Sequence, residues 1–174
     1  MNLEKLQHTD KDPWTWDRAI HTDIPGIVNL SDAIDSLEID SILTKNPTKL
    51  TLELHHAVLD QSNGLSKQNV NLARNRETKR LMAWSWIQRG KHMPWANEEM
   101  AVAEMFSLDQ SLPTLTKMRL TAQAIQFWIL WAEVNDIPVL LSTSIRPHQQ
   151  AFMRLHEEFG FEVRGSFAYK RIGE

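Results

Sequence analysis

No cysteine occurs among the 174 residues of this chain. That excludes disulfides, thiolate zinc sites and cysteine nucleophiles, and it fits a reducing compartment. Neither charge sign dominates: 19 Lys and Arg stand against 22 Asp and Glu, a formal net charge of -3. A general binder of nucleic acid or of membrane surfaces needs a basic face, so neither partner is expected. No run approaches the roughly 20 apolar residues of a membrane span. The longest apolar segment, around Ile125 to Val134, is interrupted by Gln126 and followed by charge and proline. The polar, acidic stretch Met1 to Asp12 has no apolar core of the signal-peptide type. The cytosol, or the inside of a packaged particle, is the expected location. Glycine is scarce as well, and none falls between Gly90 and Gly160.

What is present is an ordinary globular composition, 42% hydrophobic and 24% charged, long enough to bury one sizeable core. Tryptophan is the exception, at 7 residues against 1 tyrosine. Such rings supply core mass, and at a surface they serve as interface anchors.

Periodicity divides the chain into an arm, residues 1–13, and one domain, residues 14–174. Trp14, Trp16, Arg18 and Ile20 alternate as a strand. Thr22 or Asp23 then offers a helix cap ahead of Pro25, and Ile24, Ile27, Val28, Ser31 and Ile34 carry a helix to about Ser36. Asn46-Pro47 starts a second helix striped by Leu50, Leu54, Ala57 and Val58 and closed at Asn63-Gly64. A hairpin follows, Asn69 onward and Arg80 to Ile87, with its turn at Asn75 to Lys79. Gln88 to Asn97 reads as a loop, and Glu99 to Leu108 as a central strand. After Pro113, Leu115, Met118, Ala122, Ile125, Ile129 and Ala132 space a long helix ending near Asn135. Ile137 to Thr143 suits a buried parallel strand, and Pro147 opens a helix that Gly160 stops. Phe161 to Arg164 and Ser166 to Ile172 read as two closing strands hinged at Gly165. No internal repeat or linker interrupts this order.

Two segments resemble the GNAT superfamily of acetyl-CoA-dependent N-acyltransferases, and the element order is similar to theirs. Trp16-Asp-Arg-Ala-Ile-His-Thr-Asp-Ile-Pro-Gly-Ile-Val-Asn-Leu30 is similar to the family's opening strand and helix start. Val139-Leu-Leu-Ser-Thr-Ser144 with Ala151-Phe-Met-Arg-Leu-His-Glu-Glu-Phe-Gly-Phe161 is similar to its cofactor-side strand and helix end. The resemblance implies an α/β (α+β) fold: a mixed central sheet with an antiparallel N-terminal meander and helices on both faces. It also implies acetyl-CoA as cofactor, its pyrophosphate held by backbone N–H groups at the turn before the long helix. Here that turn, within Leu108 to Leu120, lacks glycine and carries Asp109, whereas glycine is what lets backbone come close to phosphate. Contacts by analogy fall to Leu108, Thr114, Thr116, Lys117 and Arg119, and to Gln149, which stands where the family has asparagine.

The family's leaving-group acid, a tyrosine, is matched by His156. Its ring can do acid work near neutral pH or be a hydrogen-bonded core side chain. Glu104, flanked by Val102, Ala103, Met105 and Phe106, is the candidate general base; the alternative is pairing with a basic neighbour. No metal site is expected, because adjacent His55 and His56 diverge on a helix and His148 lies two turns from His156. Ser142 lacks the glycine-flanked elbow of a hydrolase nucleophile. The pairs Lys79-Arg80 and Lys170-Arg171 read as solvated edge charges.

Gly90-Lys-His-Met-Pro-Trp-Ala-Asn-Glu-Glu99, followed by a strand and a glycine-free helix start, is also similar to small acetyltransferase-like proteins of tailed-phage structural regions, some of them internal virion or head-associated. The functional expectation is thus a GNAT-like protein with a degenerate cofactor loop. It would serve without catalysis as a binding or assembly component beside other subunits, in a virion or a homo-oligomer. An active N-acetyltransferase, or a module that binds CoA or a nucleotide without turnover, are the alternatives.

Overall fold

Trp14 and Trp16 point to one side of a short extended segment, and that side becomes the inner face of a sheet. The computed structural model describes residues 9, 11–38, 44–64, 67–144 and 150–164. Among them five strands form one sheet in chain order: β1 (Trp14–Arg18), β2 (Gln68–Asn75), β3 (Leu81–His92), β4 (Glu99–Leu108) and β5 (Val139–Ser142). The first three pairings are antiparallel, and β4 with β5 is parallel. This is the mixed sheet with an N-terminal meander that the sequence predicts.

Helices α1 (Ile24–Glu38) and α2 (Pro47–Ser62) cover one face. Ile24 and Ile27 from α1 and Leu54, Ala57 and Val58 from α2 are buried against Val70, Leu72, Trp84 and Trp86. Asp23 secures the approach to α1 by accepting the N–H of Ile20 at 2.9 Å. Asn46 caps α2 through the N–H of Lys49 at 2.9 Å, with Pro47 in the first turn. Buried Ser31 donates to the carbonyl of Ile27 and accepts the indole N–H of Trp84 at 3.0 Å.

Helix α3 (Thr114–Val134) and helix α4 (Gln150–Glu158) lie on the other face. Ala122, Ala124, Ile125, Trp128 and Ala132 pack with Leu155 onto Ile87, Ala101 and Ala103. The first turn of α3 departs from the expected stripe, for Leu115 and Met118 are exposed. Burial begins only at Leu120, which meets Trp14, Ala73 and Leu108.

Other differences are local. The segment Gln88–His92 continues β3 where a loop was expected. Gly90, at φ 92, takes the left-handed position of a bulge between the Gln88 and Lys91 pairings, so the ladder resumes beyond it. Phe161–Arg164 carries no ladder among the described residues, although a strand was expected there. The final expected strand, Ser166 to Ile172, the helix start at Pro147 and the hinge Gly165 lie outside the described residues. Gly160, at φ 83, is the left-handed stop after α4.

Candidate functional site

Parallel strands that part company leave a crevice at their carboxyl ends, the usual ligand position in sheets of this kind. Strand β4 pairs with β5 only from Met100 to Ala103, opposite Val139 to Ser142. Beyond Ala103 it runs on to Leu108 without that partner. At the same place β4 bulges: Trp86 pairs with Met105 and Ile87 with Ala103, so Glu104 is the extra residue. A bulge turns consecutive side chains the same way. Met105 packs on the α1–α2 side, while Ala103 and Phe106 pack on the α3 side.

Glu104 is half-buried and accepts a hydrogen bond from the side-chain amide of Gln88 on β3. The partner is a neutral amide and not a basic residue. Nearby on the α1–α2 side a cavity of about 280 Å³ is floored by Trp86 and Met105. Its rim includes the Lys45–Asp32 ion pair at 3.0 Å.

His156 belongs to the opposite side. Its ring is 1% exposed and sits among Trp128, Phe152 and Phe161. Nδ1 lies 2.9 Å from the carbonyl of Phe152, one helical turn back. A carbonyl only accepts, so Nδ1 carries the proton. Nε2 is then a lone pair, and it faces the hydroxyl of Ser142 at 2.9 Å. Burial holds the imidazole below its ordinary pKa, against the opposing effect of the Phe152 carbonyl. In this arrangement His156 presents a basic nitrogen to Ser142, the reverse of a proton-donating acid. The pairing crosses from α4 to the end of β5, a contact that no local spacing announces.

The turn from β4 to α3 is built around Asp109. Its carboxylate accepts both the backbone N–H of Ser111 at 2.9 Å and the Ser111 hydroxyl at 2.7 Å, and it pairs with Arg80. Desolvation works to raise the pKa of Asp109, but the bonds from Ser111 and the charge of Arg80 outweigh it, and the carboxyl lies below the ordinary range. The residue before the helix is Pro113, which has no N–H to offer.

The remaining sequence candidates are dispersed. Leu108 is buried in apolar packing. Thr114 is exposed in the first turn of α3, and Thr116 is half-buried there. Lys117 reaches back to the carbonyl of Gln110 at 3.4 Å. Arg119 points elsewhere: it pairs with the buried carboxylate of Asp12 and lies 5.1 Å over the ring of Trp14. Gln149 lies outside the described residues. Among the described residues no group of three or more His, Asp or Glu side chains could hold a metal, and no helix is long and apolar enough to cross a membrane.

A pyrophosphate at the α3 turn would need free amides and a nearby cation. The Ser111 amide is taken by an internal anion, Pro113 supplies none, and Arg119 is committed to Asp12. What this turn leaves to face a CoA pyrophosphate is the first-turn amides of α3 and the side chain of Lys117, without a glycine or a second cation.

No protein-family model and no curated protein sequence matches the chain. Solved structures do. Glucosamine-6-phosphate N-acetyltransferase from Arabidopsis thaliana matches with a TM-score of 0.65 at 8% identity, covering 92% of this chain and 99% of its own. The aminoglycoside 6'-N-acetyltransferase AAC(6')-Ih from Acinetobacter baumannii gives 0.63 at 13% identity, covering 92% and 99%. AAC(6')-Iy, solved with the bisubstrate analog CoA-S-monomethyl-acetylneamine, gives 0.65 at 13% identity with the same coverage. At such identities what is shared is architecture, and the chain has the GNAT acetyltransferase fold.

Proposed function

We propose that this chain is an acetyltransferase-fold protein that does not turn over acetyl-CoA. It works as a binding and assembly component beside other protein subunits, of the kind found inside tailed-phage virions. One observation carries the reading. The carboxylate of Asp109 already occupies the Ser111 amide at the β4–α3 turn, and Arg80 fixes it there. A buried carboxylate at that position repels a phosphate and withholds one of the donors it would use.

The assembly half draws on the hairpin that joins β3 to β4. Trp95, at its tip, is 82% exposed, and Met93 beside it is 39% exposed. Tryptophan is over-represented among the anchors that dominate protein interfaces. The same loop carries the sequence resemblance to the phage proteins.

Titration with acetyl-CoA followed by thermal unfolding tests the first half. A ligand at 100 times its dissociation constant adds about 2.7 kcal/mol of stability, so the expected result is no shift at millimolar concentration. A saturable shift would overturn the reading. Light scattering of the purified chain, alone and mixed with tailed-phage structural proteins, tests the second half. A monodisperse monomer that joins none of them would sink it.

A further inference from the structure

The Ser142–His156 pair has the parts of an activated hydroxyl. The hydroxyl donates to Nε2 at 2.9 Å, and the base is locked by the Phe152 carbonyl on its other nitrogen. A nucleophile within hydrogen-bond reach of a base, with the base oriented by a third group, is the arrangement that turns a weak hydroxyl into a reactive one. The third group is a backbone carbonyl here, where hydrolases use a carboxylate. Ser142 is half-buried and stands at the last β4–β5 pairing. His156 is 1% exposed, and its Nε2 faces the Ser142 hydroxyl. The sequence misses this pair because the base comes from 14 residues further along and the glycine-flanked elbow is absent.

We infer that Ser142 is a covalent acylation site, taking an acyl group from an activated ester or thioester with His156 as its base. The oxygen of Ser142 attacks the carbonyl carbon and forms a new C–O bond. Its proton passes to Nε2 of His156. The bond to the leaving alkoxide or thiolate breaks, and the imidazolium returns the proton to that group. Serine ester and free alcohol or thiol are the products, with no oxidant and no metal required. The step needs no CoA pyrophosphate site, so it goes beyond the function proposed above and stands or falls separately.

The test uses p-nitrophenyl acetate as probe, with release of nitrophenolate followed in time and the modified residue located by peptide mass spectrometry. One acetyl group is expected on Ser142, absent in Ser142→Ala and retained in the control Ser144→Ala. His156→Gln is expected to slow acylation about 100-fold, the lower end of what a positioned base contributes. The parent rate should climb with pH and level off once the imidazole is neutral. Acetyl groups spread over lysines at a rate shared by Ser142→Ala would overturn the inference. Should His156→Gln fail to fold, the parent pH profile decides alone: a rate that rises without levelling overturns it.

Discussion

The indole N–H of Trp14 donates to Oε1 of Gln123, 109 residues further along the chain, at 2.8 Å. Trp16 donates to the same oxygen, also at 2.8 Å, and the Gln123 amide donates to Asp12 at 3.1 Å. One side chain of α3 therefore satisfies two indoles of β1 and one buried carboxylate. Gln123→Leu would keep the volume and strand the two indoles, while Asp12 keeps Thr9 and Arg119. Leaving a buried donor unpaired costs about 1–3 kcal/mol. The variant is expected to lose about 3 kcal/mol in urea unfolding at unchanged m-value. A loss under about 1 kcal/mol would show that water replaces the amide.

Asp12 tightens the same junction. Its side chain is 1% exposed and paired with Arg119. Desolvation works to raise its pKa, but the N–H of Thr9, the charge of Arg119 and the bond from Gln123 prevail, and the carboxyl lies below the ordinary range. A carboxylate with a depressed folded pKa contributes stability that is present above its unfolded value, near 3.9, and is lost as pH falls through the folded value. Unfolding free energy measured from pH 5 downward should therefore fall less steeply in Asp12→Asn than in the parent. Arg119→Ala, which removes the cation paired with a buried carboxylate, is expected to cost about 3 kcal/mol at pH 7.

These contacts mark the limit of what the sequence discloses. Spacing alone places β1, α1, α2, β4 and α3, because a period of two or of 3.6 is a local property. The lack of glycine between Gly90 and Gly160 is equally plain in the sequence. Arg119 near a helix start reads as a phosphate ligand, yet the chain before β1 brings Asp12 to it across 107 residues. Glu104 reads as a base amid apolar neighbours. Its place as a bulge residue depends on the register with β3, which no single strand encodes. Gly90 reads as loop for a related reason, since a glycine that accommodates a bulge and one that ends a strand look alike.

His156 gives a second pH dependence of opposite origin. Burial depresses its pKa, so between that value and about 6.5 the unfolded chain binds a proton that the folded chain does not. Stability is complete above about pH 6.5 and declines as pH falls toward the folded pKa. Chemical unfolding across pH 7 to 5 should show this slope in the parent. It should be absent in His156→Phe, a ring suited to its neighbours Trp128, Phe152 and Phe161. An identical slope in both would assign the effect to other groups.

Asp109→Gly bears on the proposal that the β4–α3 turn rejects a phosphate. The substitution frees the Ser111 amide, removes the negative charge and restores glycine at the mouth of α3. If the internal carboxylate is what keeps anions out, pyrophosphate should raise the melting temperature of the variant and leave the parent unmoved. Equal indifference in both would place the obstacle in Pro113 and in the commitment of Arg119 to Asp12.

Trp95 separates stability from association. With 82% of its surface in water it contributes little to the fold, and surface changes of this kind stay within about 0.5 kcal/mol. Trp95→Ala should therefore unfold at the same urea midpoint as the parent. Its effect should appear only in assembly, where losing an anchor of this type costs about 2 kcal/mol or more. That loss corresponds to a roughly 30-fold weaker dissociation constant. Sedimentation of parent and variant with the same partner protein measures the difference directly. A variant that assembles as tightly as the parent would move the interface away from the hairpin tip, whereas one that also unfolds early would mean that Trp95 packs more than its exposure allows.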